Sequence, residues 1–455
     1  MAVEPASPEI EDAIVTTAHK SELLAKIENR KVHVGVIGLG YVGLPLALSF
    51  VEKGIRVTGF DVDPRKVETL MKGETYIMHM DPERVARAVK DKMLEATSDF
   101  DRLREPDALL VAVPTPLTPQ REPDMKYVVM TSQQIKERLR PGQLVVLEST
   151  TYPGTTDELV RGILEETGLV SGKDFFLAFS PEREDPGNKH YNTKTIPKIV
   201  GGVDEDSGEI AMRLYEAAID AVVRVSSARA AEATKLTENI FRAVNIALVN
   251  ELKVVYDRMG IDVWEVLDAA ATKPFGFMKF SPGPGLGGHC IPLDPFYLTW
   301  KAREFGVSTR FIELSGEVNV AMPRYVVDKL QLALNDRGVA LKNAKVLVLG
   351  LAYKKDIDDP RESPSFELID ILLRRGAVVS YHDPHIPSAP QMRSWPNLPA
   401  MESVPLDVKT LAAADVVLIS TDHSAVDYDA VLEHAKLVVD TRGVYRKTLP
   451  NVVKA

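Results

Sequence analysis

An apolar, β-branched run from Val32 to Ile37 breaks at Gly38-Leu-Gly40-Tyr41-Val42-Gly43, and Leu44 to Lys53 then carries helical periodicity up to Gly54. A second strand-like run, Ile55 to Phe60, ends on Asp61, about twenty residues past the first glycine. The pattern demands parallel strands joined by a crossover helix, with a turn between them bare of side chains. Each glycine has its own task. Gly38 permits the tight turn, Gly40 lets the backbone approach a pyrophosphate, and Gly43 lets the helix close on the strand. Asp61 would accept hydrogen bonds from an adenosine ribose and repel a 2′-phosphate, which points to NAD rather than NADP.

Further βα units follow. The run Ala108 to Val113 ends in Pro114-Thr115-Pro116, Leu144 to Leu147 ends in Glu148-Ser149-Thr150-Thr151, and Phe175 to Phe179 ends in Ser180-Pro181-Glu182-Arg183. Polar residues at the carboxyl ends of parallel strands lie where open α/β sheets bind ligands. The serines and threonines serve equally well as helix caps, whereas Glu182 is an acid facing the crevice. From Val346 the opening order repeats: a strand to Gly350, a helix from Ser365 to Arg375, Gly376, a strand and Asp383. This copy is longer by the stretch Lys354 to Ser363, and Ala352 replaces the middle glycine. A Cβ there would obstruct a pyrophosphate lying as NAD does, so the second domain is expected to hold a different nucleotide. A purely structural or dimerising domain is the alternative. Ala413 to Ser420 and Leu437 to Asp440 complete its strands, with Arg442 at a carboxyl end.

Between the copies lie two further features. Ala228 to Met259 contains neither Gly nor Pro and is apolar on more than one face. A helix of ~30 residues spans ~45 Å and is expected to bury itself against both a domain and a partner subunit. Lys235 and Asn239, four apart, share one of its faces; by spacing alone a solvated pair satisfies this. The second feature is Ser281-Pro-Gly-Pro-Gly-Leu-Gly287-Gly-His-Cys290-Ile-Pro-Leu-Asp294-Pro295, whose glycines suggest close backbone approach to a ligand. Asp294 and Pro295 read as N-cap and first residue of a helix to about Gly306, so Cys290 precedes a helix N-terminus that favours thiolate. It is the sole cysteine, which excludes an intramolecular disulfide and fits a reducing cytoplasm. A net charge of −10 argues against nucleic acid and anionic membrane surfaces as partners. No apolar run approaches the ~20 residues of a membrane span. No group of residues suggests a metal site.

Four motifs in order resemble the UDP-sugar 6-dehydrogenase family over nearly all of residues 30–450: Gly38 to Gly43, Glu232 to Asn239, Gly287 to Asp294, and Tyr353-Lys-Lys-Asp to Arg361-Glu-Ser363. The stretch from Gly288 through Leu298 is similar to the branch acting on N-acetylated sugars, UDP-N-acetylglucosamine foremost, with its manno and galacto isomers and UDP-glucose as alternatives, and a single-step hydroxy-acid dehydrogenase or an idle NAD-binding scaffold as the competing readings. The resemblance implies an α/β chain of two doubly wound, Rossmann-like domains joined by a long central helix. Its expected divisions are an extension at 1–30, an NAD domain at 31–215, a central domain at 216–325 and a UDP-sugar domain at 326–455. It implies oxidation of a C6 hydroxyl to a carboxylate with two NAD⁺. Cys290 would capture the aldehyde as a thiohemiacetal and then a thioester. Lys235 and Asn239 would hold the C6 oxygen, Asp294 a water, and Glu182 would assist hydrolysis with Thr151 in the water network. Pro114, Thr115 and Thr150 would join the glycine turn around NAD, while Arg183, Phe280, Gly287, Lys354 and Arg442 would meet the UDP-sugar. An arginine upstream of the glycine loop, which in the family crosses to the substrate of a partner subunit, has no counterpart: Lys273 and Lys279 stand there instead. A homodimer through the central helix, or a higher oligomer, is expected.

Overall fold

The structure, a computed structural model, describes residues 8–77, 80–118, 120–183, 195–288, 291, 293–392 and 394–455, with the backbone alone for 8–17. Its internal contacts divide the chain into two units, Met1–Glu238 with Arg303–Phe305, and Asn239–Ala302 with Gly306–Ala455.

In the first unit the strands are β1 (Val34–Ile37), β2 (Val57–Phe60), β3 (Leu94–Thr97), β4 (Ala108–Val111), β5 (Leu144–Leu147), β6 (Phe176–Phe179), β7 (Lys198–Gly202) and β8 (Val222–Arg224). They form one sheet in the order β3-β2-β1-β4-β5-β6-β7-β8. The opening unit forms as its sequence requires, with β1 and β2 parallel and Val34 opposite Val57. Alternate residues of one strand go to opposite faces, so both faces carry a core. Leu110 and Val146 pack with Leu44 and Phe50, whereas Leu109, Val111 and Val145 pack with Val128, Val160 and Phe175. One pairing departs from the parallel pattern. Strand β7 runs antiparallel to β6, with Ala178 opposite Gly202 and Phe179 opposite Gly201.

The amino-terminal stretch differs from the extension expected of it. A helix runs from Pro8 to Glu28. Leu23 and Ile27, four apart, are buried in the first unit's core, and Lys20 pairs with Asp206 at 2.5 Å and Glu209 at 2.6 Å. A narrow apolar stripe is enough to dock a helix of otherwise polar composition.

The helix Ala228–Met259, 32 residues long, starts in the first unit and ends in the second. In the second unit β9 (Lys345–Leu349), β10 (Val378–His382), β11 (Val416–Ile419), β12 (Val438–Asp440) and β13 (Val452–Lys454) form a wholly parallel sheet in the order β10-β9-β11-β12-β13. It too has a core on each face: Val346 and Val348 on one, Leu347 and Leu349 on the other. Asp383, just past β10, is fully buried. Its Oδ2 accepts the N–H groups of Leu351 (2.6 Å) and Ala352 (3.0 Å), and its Oδ1 those of His385 (2.7 Å) and Ile386 (3.0 Å). Burial alone would raise this carboxyl, but His423 and these backbone donors outweigh it and hold it down at about 2. Among the described residues no helix is long and apolar enough to cross a membrane.

Candidate active site

The first unit presents a glycine turn built for a ligand. Gly38 has φ +94°, and a Cβ on it would lie 2.4 Å from the Ala112 carbonyl oxygen; one on Gly43 would lie 1.9 Å from the Gly38 oxygen. A Cβ on Gly40 would meet nothing within 4 Å, so that face of the turn is open to a ligand. Tyr41 is exposed, and Val42 precedes the helix Gly43–Val51 without a side-chain cap; Leu44 N–H already donates to the Gly40 carbonyl and Pro45 has none to give, so the first turn offers an anion the Gly43 N–H and the positive end of the helix. Asp61 is buried and anchors the turn. Its Oδ2 accepts from Leu39 N–H (2.9 Å) and Lys66 Nζ (3.0 Å), and its Oδ1 from Asp63 N–H (2.9 Å). A carboxylate offers about four acceptor positions, so one on Oδ1 is left for a ribose hydroxyl. Lys66 offsets the repulsion of a 2′-phosphate that the sequence assigns to Asp61.

The ends of β4, β5 and β6 carry the polar residues expected there. Pro114 is exposed and Thr115 buried. Ser149 Oγ donates to the Val113 carbonyl at 2.7 Å, tying the end of β5 to that of β4. Thr150 is half-buried; Thr151 is wholly buried, and its Oγ1 has no hydrogen-bond partner among the described residues. The turn that follows Thr151 is held by Glu232, whose carboxylate accepts from Gly154 N–H (2.7 Å), Thr156 N–H (2.9 Å) and Thr156 Oγ1 (2.7 Å). Burial pushes the Glu232 carboxyl up to about 7 against the pull of those donors. Glu182 Oε1 accepts the N–H of Arg183 at 2.7 Å. The Arg183 guanidinium pairs with Glu238 at 2.6 Å and donates to the Pro197 carbonyl at 2.5 Å. Lys235 is 5 % exposed, and no partner for its ammonium is found among the described residues.

The second unit orients the remaining groups. Asn239 is fully buried; its Nδ2 donates to Asp294 Oδ2 at 2.5 Å and its Oδ1 accepts from Arg242. Asp294 is the first residue of the helix Asp294–Glu304 rather than the residue before it, with its carboxylate turned to Asn239. Glycines of the loop also pack closely against the protein itself. A Cβ on Gly283 would lie 2.6 Å from Arg442 Nη1, and one on Gly287 would lie 2.5 Å from Tyr353 Cβ. Gly288, at φ +83°, donates its N–H to the Arg361 carbonyl at 3.0 Å. Gly283 N–H in turn donates to Asn250 Oδ1 at 3.0 Å, and Asn250 Nδ2 donates to Asn319 Oδ1 at 2.9 Å. Lys253 Nζ lies 3.5 Å from the Gly283 carbonyl; burial, then Arg442, lower its ammonium to about 7. Cys290 lies outside the described residues, as do His289 and Pro292.

Of the expected substrate contacts, Arg442 donates from Nε to the Ser420 carbonyl at 2.6 Å, in a turn whose N–H groups Asp440 gathers. Lys354 is half-buried, and Arg361 grips Asp359 through Nε and Nη2. Phe280 sits edge-on to Phe241, centroids 5.8 Å apart, against a cluster that includes Trp264. Lys279 pairs with Asp268. Asp356, His385 and His423 bring one ligand atom each within 4.8 Å of one another. His423 has no nitrogen to spare for a metal, because Nδ1 accepts the Asp356 N–H (3.0 Å) and Nε2 faces Asp383 (3.1 Å).

These features match a known group of proteins in all three parts. Residues 32–219 match the NAD binding domain of the UDP-glucose/GDP-mannose dehydrogenase family, 229–321 its central domain and 347–447 its UDP binding domain. The chain belongs to that family. It is an oxidoreductase with NAD as cofactor and a UDP-sugar as substrate. A UDP-N-acetyl-D-glucosamine 6-dehydrogenase of Pseudomonas aeruginosa is 35% identical over 87% of this chain and 91% of its own. An NDP-N-acetyl-D-galactosaminuronic acid dehydrogenase of Ralstonia nicotianae is 35% identical over 90% and 96%. The solved structure of a UDP-D-ManNAc dehydrogenase from Pyrococcus horikoshii superposes with a TM-score of 0.84 at 30% identity, covering 93% of this chain and 98% of that one.

Sequence reading missed Glu232 as the clamp on the Thr151 turn and Lys66 as the partner of Asp61. Glu232 stands in one of the four motifs, and its three-residue offset from Lys235 places it near the same helix face; that was the available signal. Nothing local marked Lys66.

Proposed function

We propose that this enzyme oxidises the C6 hydroxyl of a UDP-N-acetylhexosamine, UDP-N-acetylglucosamine foremost, to the uronate in two steps through a covalent bond to Cys290. The observation that carries the reading is Lys235, a buried ammonium with no partner among the described residues, one helical turn before Asn239. Such a cation invites a substrate oxygen. NAD, when bound, accepts one hydride in each oxidation. The turn Gly38 to Gly43 with Asp61 would hold the dinucleotide, helped by Pro114, Thr115 and Thr150. Lys354, Arg442, Phe280, Gly287 and Arg183 would serve the UDP-sugar.

Asp294, steadied by Asn239, holds a water that takes the hydroxyl proton as the alcohol becomes an aldehyde. The Cys290 thiolate then bonds to the aldehyde carbon, with Lys235 and the free N–H of Asn239 holding the oxygen that gains charge. Loss of hydride turns this adduct into a thioester. In the last step Glu182 takes a proton from water as the water oxygen bonds to the carbonyl carbon; Thr151 orients that water. The C–S bond breaks, and the thiolate is restored. Alcohol, water and two NAD⁺ thus give carboxylate, two NADH and three protons. The parts at 31–215, 216–325 and 326–455 would work as cofactor, bridging and UDP-sugar domains. A cytoplasmic homodimer, supplying a uronate for a cell-surface polysaccharide, completes the reading. Exposed Phe241, Leu248 and Val255, seven apart along the central helix, support the dimer.

Relatives named for the manno and galacto series keep those sugars as the second reading. The test is NADH formation over a panel of UDP-sugars with product mass. Two NADH per uronate from an N-acetylated sugar is expected, with Cys290→Ser forming no uronate. One NADH with free aldehyde, or parental uronate yield from Cys290→Ser, refutes the mechanism.

A further inference from the structure

Behind Glu182 lies a sealed set of charges for which the steps above assign no role. Glu148 at the end of β5, Lys198 at the start of β7 and Tyr215 on the helix Glu205–Glu216 are all buried. Lys198 Nζ lies 2.6 Å from Glu148 Oε2 and 3.6 Å from Glu182 Oε2. Tyr215 donates its hydroxyl to Glu148 Oε1, and the Lys198 ammonium stands 5.3 Å from the Tyr215 ring centroid. The reversed pairing of β7 explains the placement. Continuing the register of Phe179 with Gly201 past the end of β6 sets Glu182 opposite Lys198.

A buried ion pair is expensive, and packed apolar residues often replace one with no loss of stability. This one has an additional connection: its cation is shared with a carboxylate that retains 15 % side-chain exposure. We propose that Lys198 is a positioning residue for Glu182, anchored from behind by Glu148 and Tyr215, and that it keeps the hydrolytic base aimed. The inference rests on the reading of Glu182 as that base.

Two carboxylates facing one ammonium leave the group with one net negative charge. Burial works against the Lys198 cation, but Glu148 and Glu182 outweigh it and hold it above its ordinary value. Burial, and then the Glu148 charge, push the Tyr215 phenol well above its ordinary value, so it stays a donor. Burial also raises Glu148. Ser180 borders the group and carries no charge; among the described residues the ionisable groups behind Glu182 are Lys198, Glu148 and Tyr215, with Arg183 and its partner Glu238 next to it along the chain and the central helix. Replacing Lys198 takes away a positive charge 3.6 Å from Glu182 Oε2, which disfavours a carboxylate there. Replacing Glu148 takes a negative charge from the same group and works the other way.

The test uses the full-length enzyme with saturating NAD⁺ and whichever UDP-sugar it turns over best. It follows the NADH burst, the mass of the acyl-enzyme and the pH profile of the hydrolytic phase. Lys198→Met is expected to move the acid limb up by about 1–3 pH units, the usual effect of an opposite charge at this range, with acyl-enzyme accumulating near neutral pH. Glu148→Gln is expected to move the limb down. A merely structural role gives no such opposition, so shifts of equal sign, or unmoved limbs, overturn the proposal. Should Lys198→Met fail to fold, Lys198→Met with Glu148→Met removes the pair at similar volume; its limb must still move up, and an unmoved one overturns the proposal. Glu182→Gln separates the two levels. If it turns over at the parental rate without acyl-enzyme, the role of Glu182 itself falls and the proposal with it. If it traps acyl-enzyme while Lys198→Met leaves the limb in place, only the role of Lys198 falls.

Discussion

Replacing Asn250 with alanine tests what holds the glycine loop. The side chain is fully buried and makes two hydrogen bonds, accepting from Gly283 N–H at 3.0 Å and donating to Asn319 Oδ1 at 2.9 Å. Asn319 cannot turn to compensate without giving up its own bond from Nδ2 to the Ala243 carbonyl at 3.1 Å. Alanine therefore orphans a donor and an acceptor, each worth about 1–3 kcal/mol when buried. Taking about 4 kcal/mol together, and ~2–4 °C per kcal/mol for a unit of about 200 residues, the second unit should melt ~8–16 °C lower. The assay is direct because Trp264, Trp300 and Trp395, the three tryptophans of the chain, all belong to that unit. Tryptophan emission thus follows its unfolding even where the whole chain is not two-state. The NADH rate should fall at temperatures where the variant is still folded, since the loop carries Cys290. A melting point within about 2 °C of the parent, together with an unchanged rate, would show that the Asn250 bonds do not hold the loop.

Three more outcomes are expected. Gly287→Ala places a Cβ 2.5 Å from Tyr353 Cβ, an atom that cannot swing aside, and should cost about 1–3 kcal/mol. Gly283→Ala meets only the far end of Arg442 and should cost less in the same tryptophan-monitored urea melts. Glu232 is held at about 7 in the folded chain, above the ordinary 4.5, so the fold binds this proton more tightly than the unfolded chain does. Its contribution is therefore greatest below pH 4.5 and declines, by on the order of 3 kcal/mol, as pH rises to about 7. Circular dichroism of the first unit's unfolding should show that slope, and Glu232→Gln should flatten it. Lys253, lowered to about 7 from 10.5, destabilises the fold fully below pH 7 and less as pH rises toward 10.5. Lys253→Met should thus raise the second unit's melting point more at pH 6 than at pH 9, a smaller gain at pH 6 counting against a buried ammonium.

The helix Ala228–Met259 and both strand–turn–strand units were legible because their signals are local: no Gly or Pro in one, and apolar runs bounded by glycine and an acid in the others. Strand β7 was not. Lys-Ile-Val-Gly-Gly opens on a lysine and closes on two glycines, which reads as a turn, and what makes it a strand lies in what surrounds those residues once folded. Lys198 is neutralised by residues from β5 and the end of β6, and a Cβ on Gly202 would lie 2.2 Å from Gly208 N. The loop before Cys290 was legible only in part. Glycine announces close approach, yet whether to a ligand or to Tyr353 depends on a residue far along the chain. Asp294 showed the limit at the level of one torsion: sequence placed it at the start of a helix, and only its rotamer turns it to Asn239.

The two acids that close the paired halves of this chain have different room for guests. Asp61 keeps an acceptor position in reserve beside an uncluttered Gly40, whereas Asp383 gives both oxygens to the backbone and to His423, next to the methyl of Ala352. Trimming that methyl to glycine would enlarge the space yet supply no vacant lone pair for a ribose. Dinucleotide cross-talk between the halves is therefore barred twice over, by volume and by valence, and an enzyme engineer wishing to convert one into the other must rebuild the carboxylate's surroundings before touching the turn.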